Sequence, residues 1–179
     1  MSIRSLLLST TLVFATLSAA VAAEPIKIAF VDTGNTGRSV TAEAIATKYI
    51  AERHLFVAVI SRAVDMDPFT VTPEANAATL LKAHGMDVSQ HLAHQVTAND
   101  VRHADVILTM TAGHRDRLIS AFPDAKDKTF VLGEYATGKP AEIADAYGKP
   151  MPVYEDMYAR VNEFTPEAID KAVATIQKK

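Results

Sequence analysis

The stretch "FVDTGNTGRS", residues 30–39, is the part of the sequence that indicates the fold most directly. An apolar strand is followed by a turn with two glycines, and a helix begins at Arg38. Successive N–H groups in such a turn, with the positive end of the following helix, form an anion-binding nest. Gly34 and Gly37 allow positive φ angles and leave the backbone N–H groups uncovered. The stretch predicts an oxyanion-binding loop, and an ordinary βα turn is the alternative. The loop begins with Asp32, a carboxylate, which is unexpected in a site that binds anions.

Strand-like and helix-like segments alternate around this loop. The continuous apolar run "IKIAFV" is typical of a buried parallel strand, and helical spacing follows it. Alternation of this kind implies right-handed βαβ crossovers. The sequence predicts a single doubly wound α/β domain, with a central four-stranded parallel sheet and helices on both faces. The predicted strands cover residues 26–31, 56–60, 104–110 and 128–133, and the predicted helices cover 39–54, 72–85, 112–123, 153–164 and 165–179.

Two helix boundaries are predicted from capping and proline signals. For the helix 72–85, Thr72 is the expected cap, Pro73 the first helical residue and Gly85 the residue past the end. At the carboxyl end of the chain, Thr165-Pro166 is expected to break one helix and start another, because proline cannot donate the next hydrogen bond.

Composition limits the classes of function. A hydrophobic content of 49% and a charged content of 22% are globular values. The net charge of -3 gives no electrostatic reason to expect nucleic acid or an anionic membrane as partner. The chain has no cysteine, which excludes disulfides, thiol nucleophiles and thiolate metal sites.

The amino terminus has the pattern of a secretory signal peptide. Arg4 is followed by a long apolar stretch that ends in small residues, with a cut expected after Ala22 or Ala23. The sequence therefore predicts a signal peptide at 1–23 and a domain at 24–179 that is exported to the periplasm or secreted. A membrane anchor is the alternative, and after removal of the signal no membrane segment is expected.

Several motifs resemble those of the low-molecular-weight protein tyrosine phosphatases. That family has a Cys, five residues, then Arg-Ser, and here Asp32 takes the place of the Cys while the spacing to Arg38 is kept. The Gly-Asn inside the loop and the Ala-Glu-Ala after it also match. The segments "ADVILTMTAGHRDRLISAFPDAKDKTFVLGEYATG" and "IADAYGKPMPVYEDMYARV" resemble the family's middle and general-acid regions. The resemblance spans roughly residues 26–176 and implies the phosphotyrosine phosphatase I-like fold.

The resemblance implies a role for each matching residue. Arg38 would bind phosphate, Ser39 would support the loop, and Asp145 would be the general acid. The rim of the pocket would carry Tyr147, His91 and His94. The remaining loop residues would be Thr33, Gly34, Asn35, Thr36 and Gly37, with Asn35 orienting the loop. The resemblance implies no metal or cofactor, and the Thr at position 36 and the "EYATG" motif are typical of the bacterial branch that acts on phosphoarginine as well as phosphotyrosine.

The departures from the family pattern concern the chemistry itself. Asp32 replaces the nucleophilic Cys, and Gly37 replaces a second loop Cys. The prolines expected after Arg-Ser and after the general acid are Val40 and Ala146, and Ser61-Arg62-Ala63 replaces Ser-Ala-Gly after the second strand. Thiol-based phosphoryl transfer and thiol-based arsenate reduction are therefore excluded.

Three hypotheses account for Asp32. It could fill the nest as a built-in anion, accepting loop N–H bonds and lying close to Arg38, in a catalytically inactive or repurposed homologue. It could be a carboxylate nucleophile in an active phosphatase. It could share a Mg²⁺ or Ca²⁺ ion with Asp145. The remaining alternative leaves Asp32 aside: the protein could be a binding or scaffold protein that uses another surface. The ligand expected of the loop itself is a phosphate-like oxyanion or a phosphorylated compound.

Two further features have weaker interpretations. His84, His91, His94, His103 and His114 match no metal-binding spacing, so they are interpreted as surface or loop histidines. The segment "DMDPFTVTP", residues 65–73, would either cover the site or be a simple connector.

Overall fold

A computed structural model describes residues 24–176 of the protein. The predicted signal peptide, 1–23, lies outside the described residues. The strands are β1 (Ile26–Asp32), β2 (Val57–Ala63), β3 (Val106–Thr109) and β4 (Thr129–Val131). The helices are α1 (Arg38–Arg53), α2 (Ala75–Ala83), α3 (Ala98–His103), α4 (Ala112–Ala121), α5 (Leu132–Thr137) and α6 (Met151–Ile176), with a 3₁₀ helix at Pro123–Lys128.

The sheet has four parallel strands in the order β2-β1-β3-β4. The chain leaves β1 toward β2 and later returns to the other side of β1 as β3, so strand order reverses between β1 and β3. Ligands of open α/β sheets bind at the carboxyl ends of strands at such a point. This position is where β1 ends and the loop 32–39 begins, and the predicted fold class is confirmed.

Alternate residues of β1 face two separate cores. Ile28 and Phe30 belong to the larger cluster, which α1 and α6 cover. Ala29 and Val31 belong to a smaller cluster with Leu118 of α4. Because both faces of the strand are buried, β1 has no polar alternation in its sequence. Within residues 24–176, no helix is both long enough and apolar enough to span a membrane.

The predicted helix break at Thr165-Pro166 is wrong, because α6 continues through Pro166. Proline removes one hydrogen bond from the helix interior. On the two sides of Pro166, Phe164 and Ile169 are almost completely buried in the larger core. Burial of this apolar face outweighs the local cost of the proline.

Other boundaries differ by less. The helix predicted over 72–85 begins at Ala75, since Glu74 has a non-helical backbone with φ -56° and ψ 133° and donates its N–H to Thr36 O at 2.9 Å. Gly85 follows the helix with φ +77°, as its position predicts. Three short elements are absent from the sequence prediction: α3, α5 and the 3₁₀ helix. Such elements are too short for hydrophobic periodicity to reveal.

Candidate functional site

The loop 32–39 has one residue in the left-handed region, and it is Asn35 with φ +59°. Gly34 and Gly37 allow positive φ but do not adopt it. Asparagine tolerates this region better than most side chains. Three hydrogen bonds fix the side chain of Asn35, so the loop can use an asparagine where glycine is the usual choice.

Asp32 lies at the floor of the loop and is only 3% exposed. Its Oδ1 accepts a hydrogen bond from Asn35 N at 2.6 Å, and its Oδ2 accepts one from Ser39 N at 2.9 Å. The second donor belongs to the first turn of α1, where the helix dipole favours a negative charge. Both carboxylate oxygens of Asp32 are therefore bonded to the backbone of the loop that it begins.

Asn35 joins the loop to its surroundings. Its Nδ2 donates to Ser39 Oγ at 3.0 Å and to Ser61 Oγ at 2.8 Å, and its Oδ1 accepts from His94 N at 2.9 Å. Ser61 Oγ in turn donates to Glu43. Asn35 and Ser39 are thus supports of the loop, buried beneath it and away from the ligand side.

His91 and His94 also lie behind the loop. His91 Nε2 is 3.0 Å from Asn35 O, and its Nδ1 is 3.9 Å from Glu43 Oε2. His94 contacts the loop through its backbone N–H. Neither residue lines the cleft in front of the loop, so the structure does not place them on the rim, whereas Tyr147 does line it.

Arg38 pairs with Asp145 across the site. One guanidinium nitrogen is 3.3 Å from Asp145 Oδ2, and another is 3.4 Å from the carbonyl oxygen of Ile143. The side chain of Arg38 is 8% exposed and that of Asp145 is 59% exposed. Among residues 24–176, Asp145 is the only carboxylate within 4.0 Å of this guanidinium, so Asp32 and Arg38 line the same cleft without forming an ion pair.

A cleft of about 280 Å³ opens in front of the loop. Its floor includes the loop residues Asp32, Thr33, Gly34, Thr36 and Arg38. Its walls come from two other segments and consist of Asp65, Asp67, Thr70, Glu74, Asp145 and Tyr147. The segment 65–73 therefore forms a wall of the site and is more than a connector.

Glu74 is the functional residue that sequence reasoning missed. Its carboxylate accepts a hydrogen bond from Thr36 Oγ1 at 3.3 Å and another from the hydroxyl of Tyr154. Gly37 leaves the space for it, since a Cβ at that position would lie 2.5 Å from Glu74 Oε1. Burial raises the pKa of Glu74, and the charges of Asp145 and Asp32 raise it further. The contact joins residues far apart in the chain, so no local pattern points to it.

His114 is buried next to the loop, which corrects its interpretation as a surface or loop histidine. It is 8% exposed, and its Nε2 is 2.9 Å from Thr33 Oγ1. Burial, and after it the nearby charge of Arg38, lowers the pKa of His114. The neutral imidazole therefore supports the residue that follows Asp32 without adding a positive charge to the site.

Asp32 does not use every donor of the loop. In the described part of the chain, several backbone N–H groups of the loop have no protein acceptor, among them those of Gly34, Thr36, Gly37 and Arg38. Nor does any group of three or more His, Asp and Glu residues between 24 and 176 have an arrangement that could hold a metal ion. The site is thus a carboxylate-filled loop with spare N–H donors, below a cleft with acidic walls.

Comparisons with known proteins agree with this geometry. The family model for low molecular weight phosphotyrosine protein phosphatase matches residues 27–179. A protein-arginine-phosphatase of Geobacillus stearothermophilus is 34% identical over 130 residues, which cover 73% of this chain and 84% of that protein. The chain belongs to the low-molecular-weight phosphotyrosine protein phosphatase family, and it is a member without cysteine.

Solved structures show the same fold. A low molecular weight protein tyrosine phosphatase from T. tengcongensis superposes with a TM-score of 0.77 at 29% identity, covering 82% of this chain and 99% of that one. A YwlE arginine phosphatase mutant with a phosphorylated active-site serine superposes with a TM-score of 0.79 at 28% identity, covering 85% of this chain and 98% of that one.

Proposed function

We propose that this protein is an exported phosphatase homologue that does not transfer phosphoryl groups and works as a binding protein. The observation that carries the proposal is the position of Asp32. Its carboxylate accepts hydrogen bonds from two N–H groups of the loop and lies at the floor of the cleft. Since the chain has no thiol, the nucleophile of the family's reaction is missing as well.

Electrostatics makes the cleft a poor phosphate site. A phosphate would lie within a few ångströms of the ionised Asp32. At an effective dielectric constant of about 20, one pair of like unit charges near 4 Å costs roughly 4 kcal/mol, or about a thousandfold in affinity. Among the residues that the structure describes, five carboxylates line the cleft, and Arg38, already paired with Asp145, is the one lining cation. The charge balance favours a ligand other than an oxyanion.

Export is the second element of the proposal. It is supported by the sequence alone, through Arg4, the apolar stretch after it and the small residues at its end. After expression in a Gram-negative host, amino-terminal sequencing is expected to find a chain that begins at Ala23 or Glu24. An intact Met1 on soluble cytoplasmic protein would contradict export.

A carboxylate nucleophile is the second candidate function. In the YwlE arginine phosphatase mutant, an active-site serine is phosphorylated, so an oxygen nucleophile can take the phosphoryl group in that relative. If Asp32 acted in the same way, an acyl phosphate would form and water would have to hydrolyse it. The N–H groups of the loop that lack a protein acceptor favour this candidate, whereas the acidic walls oppose it.

A thermal melt of the wild type and of Asp32→Ala, each with and without phosphate at fixed ionic strength, tests the proposal. The substitution is expected to destabilise the fold by about 1–3 kcal/mol, because two buried N–H groups lose their acceptor. Phosphate should then stabilise Asp32→Ala in proportion to its occupancy of the site, and should leave the wild type unchanged. Asp127→Ala, at an exposed position away from the site, is the matched control.

A turnover assay separates the two candidates. Wild type and Asp32→Cys are assayed on phosphotyrosine, phosphoarginine and an aryl phosphate, with and without a chelator. We expect no wild-type turnover. Chelator-insensitive hydrolysis of the aryl phosphate by the wild type would overturn the proposal in favour of a working carboxylate nucleophile. Equal stabilisation of wild type and Asp32→Ala by phosphate would overturn it in favour of a working phosphate site.

A further inference from the structure

The two edges of the sheet differ in how they are protected. β4 is an edge strand of three residues, and a short edge offers little backbone for another chain to pair with. β2 forms the opposite edge and has seven residues. Its one charged residue, Arg62, donates to the carbonyl oxygen of Ser61 at 2.7 Å and pairs with Asp100 at 3.1 Å. The run 56–60, Phe-Val-Ala-Val-Ile, therefore carries none of the charges or prolines that usually protect an edge.

The outer side of β2 has backbone groups without a partner. In the register with β1, Val57 and Val59 direct their N–H and C=O groups away from the sheet, because parallel pairing uses the groups of every second residue. Among residues 24–176, these groups have no hydrogen-bond partner. The free stretch is limited at both ends, since Ala63 is bridged to Gln95 and His54 turns the chain with φ 52°. It offers one short segment of bare edge.

The run 56–60 has the same pattern in both directions. Ala58 is at the centre, a valine lies on each side, and each end has a large apolar residue, Phe56 or Ile60. Two copies of a strand related by a two-fold axis at Ala58 pair antiparallel, with Val57 opposite Val59 of the second copy. The two valines then exchange their N–H and C=O groups, and about four backbone hydrogen bonds form. Phe56 lies opposite Ile60, and an aromatic residue opposite a β-branched one is a favourable cross-strand pair.

An exposed ring and a cavity lie along the same edge. The ladder with β1 extends to Phe56, whose carbonyl oxygen accepts from Ile26 N at 3.1 Å and whose side chain is 58% exposed. A cavity of about 220 Å³ with a mainly apolar surface has Ala58 and Ile60 on one side and His103 of α3 on the other. Alternate residues of a strand face the same side of a sheet, so Phe56 of a second copy would project next to this cavity. Burial of the ring there favours association through the hydrophobic effect.

We propose that the bare edge of β2 pairs with the same edge of a second copy of this chain, in an antiparallel dimer with its two-fold axis at Ala58. The occupant is a second copy because the run 56–60 is complementary to itself in side chains and in free backbone groups. Such a dimer closes at two copies, since the pairing uses the bare edge of both. The two clefts lie at opposite ends of the joined sheet, because the paired strands run in opposite directions. The inference holds whether or not the loop 32–39 transfers phosphoryl groups.

Sedimentation velocity of the purified protein from about 1 to about 300 µM tests the inference, because small interfaces give weak dimers. We expect a monomer–dimer equilibrium in the wild type. Ala58→Lys places two like charges opposite each other at the axis and should weaken the dimer by a factor of about ten, as should Ala58→Glu. An equimolar mixture of these two variants should dimerise again, which a misfolded chain could not do. Ala159→Lys, at an exposed position on α6, is the matched control.

Because the chain has no cysteine, a single introduced thiol reports the register of the pairing. Residues opposite each other in a non-hydrogen-bonded antiparallel pair have Cα atoms about 4.5 Å apart, within the range of a disulfide. Oxidised Ala58→Cys should therefore migrate as a covalent dimer, whereas Ala159→Cys should remain largely monomeric. A monomer at every concentration, assemblies larger than a dimer, a dimer that Ala58→Lys leaves unchanged, no dimer in the mixture of charged variants, or no cross-link in Ala58→Cys would each overturn the inference.

Discussion

The floor and the walls of the cleft differ in how they are held. The floor, residues 32–39, is buried except at Thr33 and Gly34, and hydrogen bonds through Asn35 join it to β2 and the segment 91–94. The walls, 65–74 and 145–147, are largely exposed and carry four of the five lining carboxylates. The floor thus keeps the backbone geometry of an anion site, while its own Asp32 and the walls supply negative charge. The backbone geometry of a site and the sign of the charge that its side chains favour in a ligand can therefore change independently.

Asn35→Ala is expected to have the largest effect, because it removes the support of the floor. Three side-chain hydrogen bonds are lost, to Ser39, Ser61 and His94, and alanine is less tolerant of φ +59°. Buried partners without a bond are costly, so the free energy of unfolding should fall by about 2–4 kcal/mol. Urea denaturation measures it, with the exposed Asn162→Ala as the control. A loss under about 1 kcal/mol would show that the floor does not depend on Asn35.

Asp145→Asn changes a wall residue and should have a smaller effect. The ion pair with Arg38 is lost, but Asp145 is 59% exposed, and exposed partners contribute little because water screens them. We expect a change of less than about 1 kcal/mol in urea denaturation, similar to that of the exposed Asp156→Asn on α6. A loss of more than about 2 kcal/mol would mean that the walls stabilise the floor.

Glu74→Gln should give the smallest effect, and one that depends on pH. The folded state raises the pKa of Glu74 above its usual 4.5, mainly by burial, so the folded protein binds this proton more tightly than the unfolded chain. The stabilising contribution of the protonated carboxyl is complete below pH 4.5 and is lost as the pH rises through the folded pKa. Glutamine, which does not ionise, should melt slightly higher than wild type at neutral pH.

The difference in melting temperature between Glu74→Gln and wild type should disappear at acidic pH, below the pKa that Glu74 has in the unfolded chain. Thermal melts across the acid range measure it. The exposed Glu155→Gln on α6 serves as the matched control and should show no such pH dependence. A variant that melts lower than wild type at neutral pH would indicate that the ionised Glu74 carboxylate stabilises the wall.

Local pattern accounts for the parts of the fold that were predicted correctly. The run from β1 through the loop to α1 is continuous in sequence, so apolar residues, turn residues and helix spacing could all be observed together. The break expected at Pro166 failed for the opposite reason, since what keeps α6 continuous is the burial of residues such as Phe164 and Ile169 against distant elements. The free-energy cost of a proline in a helix can be read from the sequence, but the tertiary packing that offsets it cannot.

The sequence by itself determined the family, the parallel α/β sheet and the absence of a thiol, because these follow from motif spacing, periodicity and residue counts. Only the tertiary structure decided what Asp32 faces. Its bonds to Asn35 and Ser39 depend on the path of the loop, and the pairing of Arg38 with Asp145 crosses more than a hundred residues. Glu74 reaches Thr36 by a similar long-range contact. Charges that meet through the fold act over ångströms of space, whatever their separation along the chain.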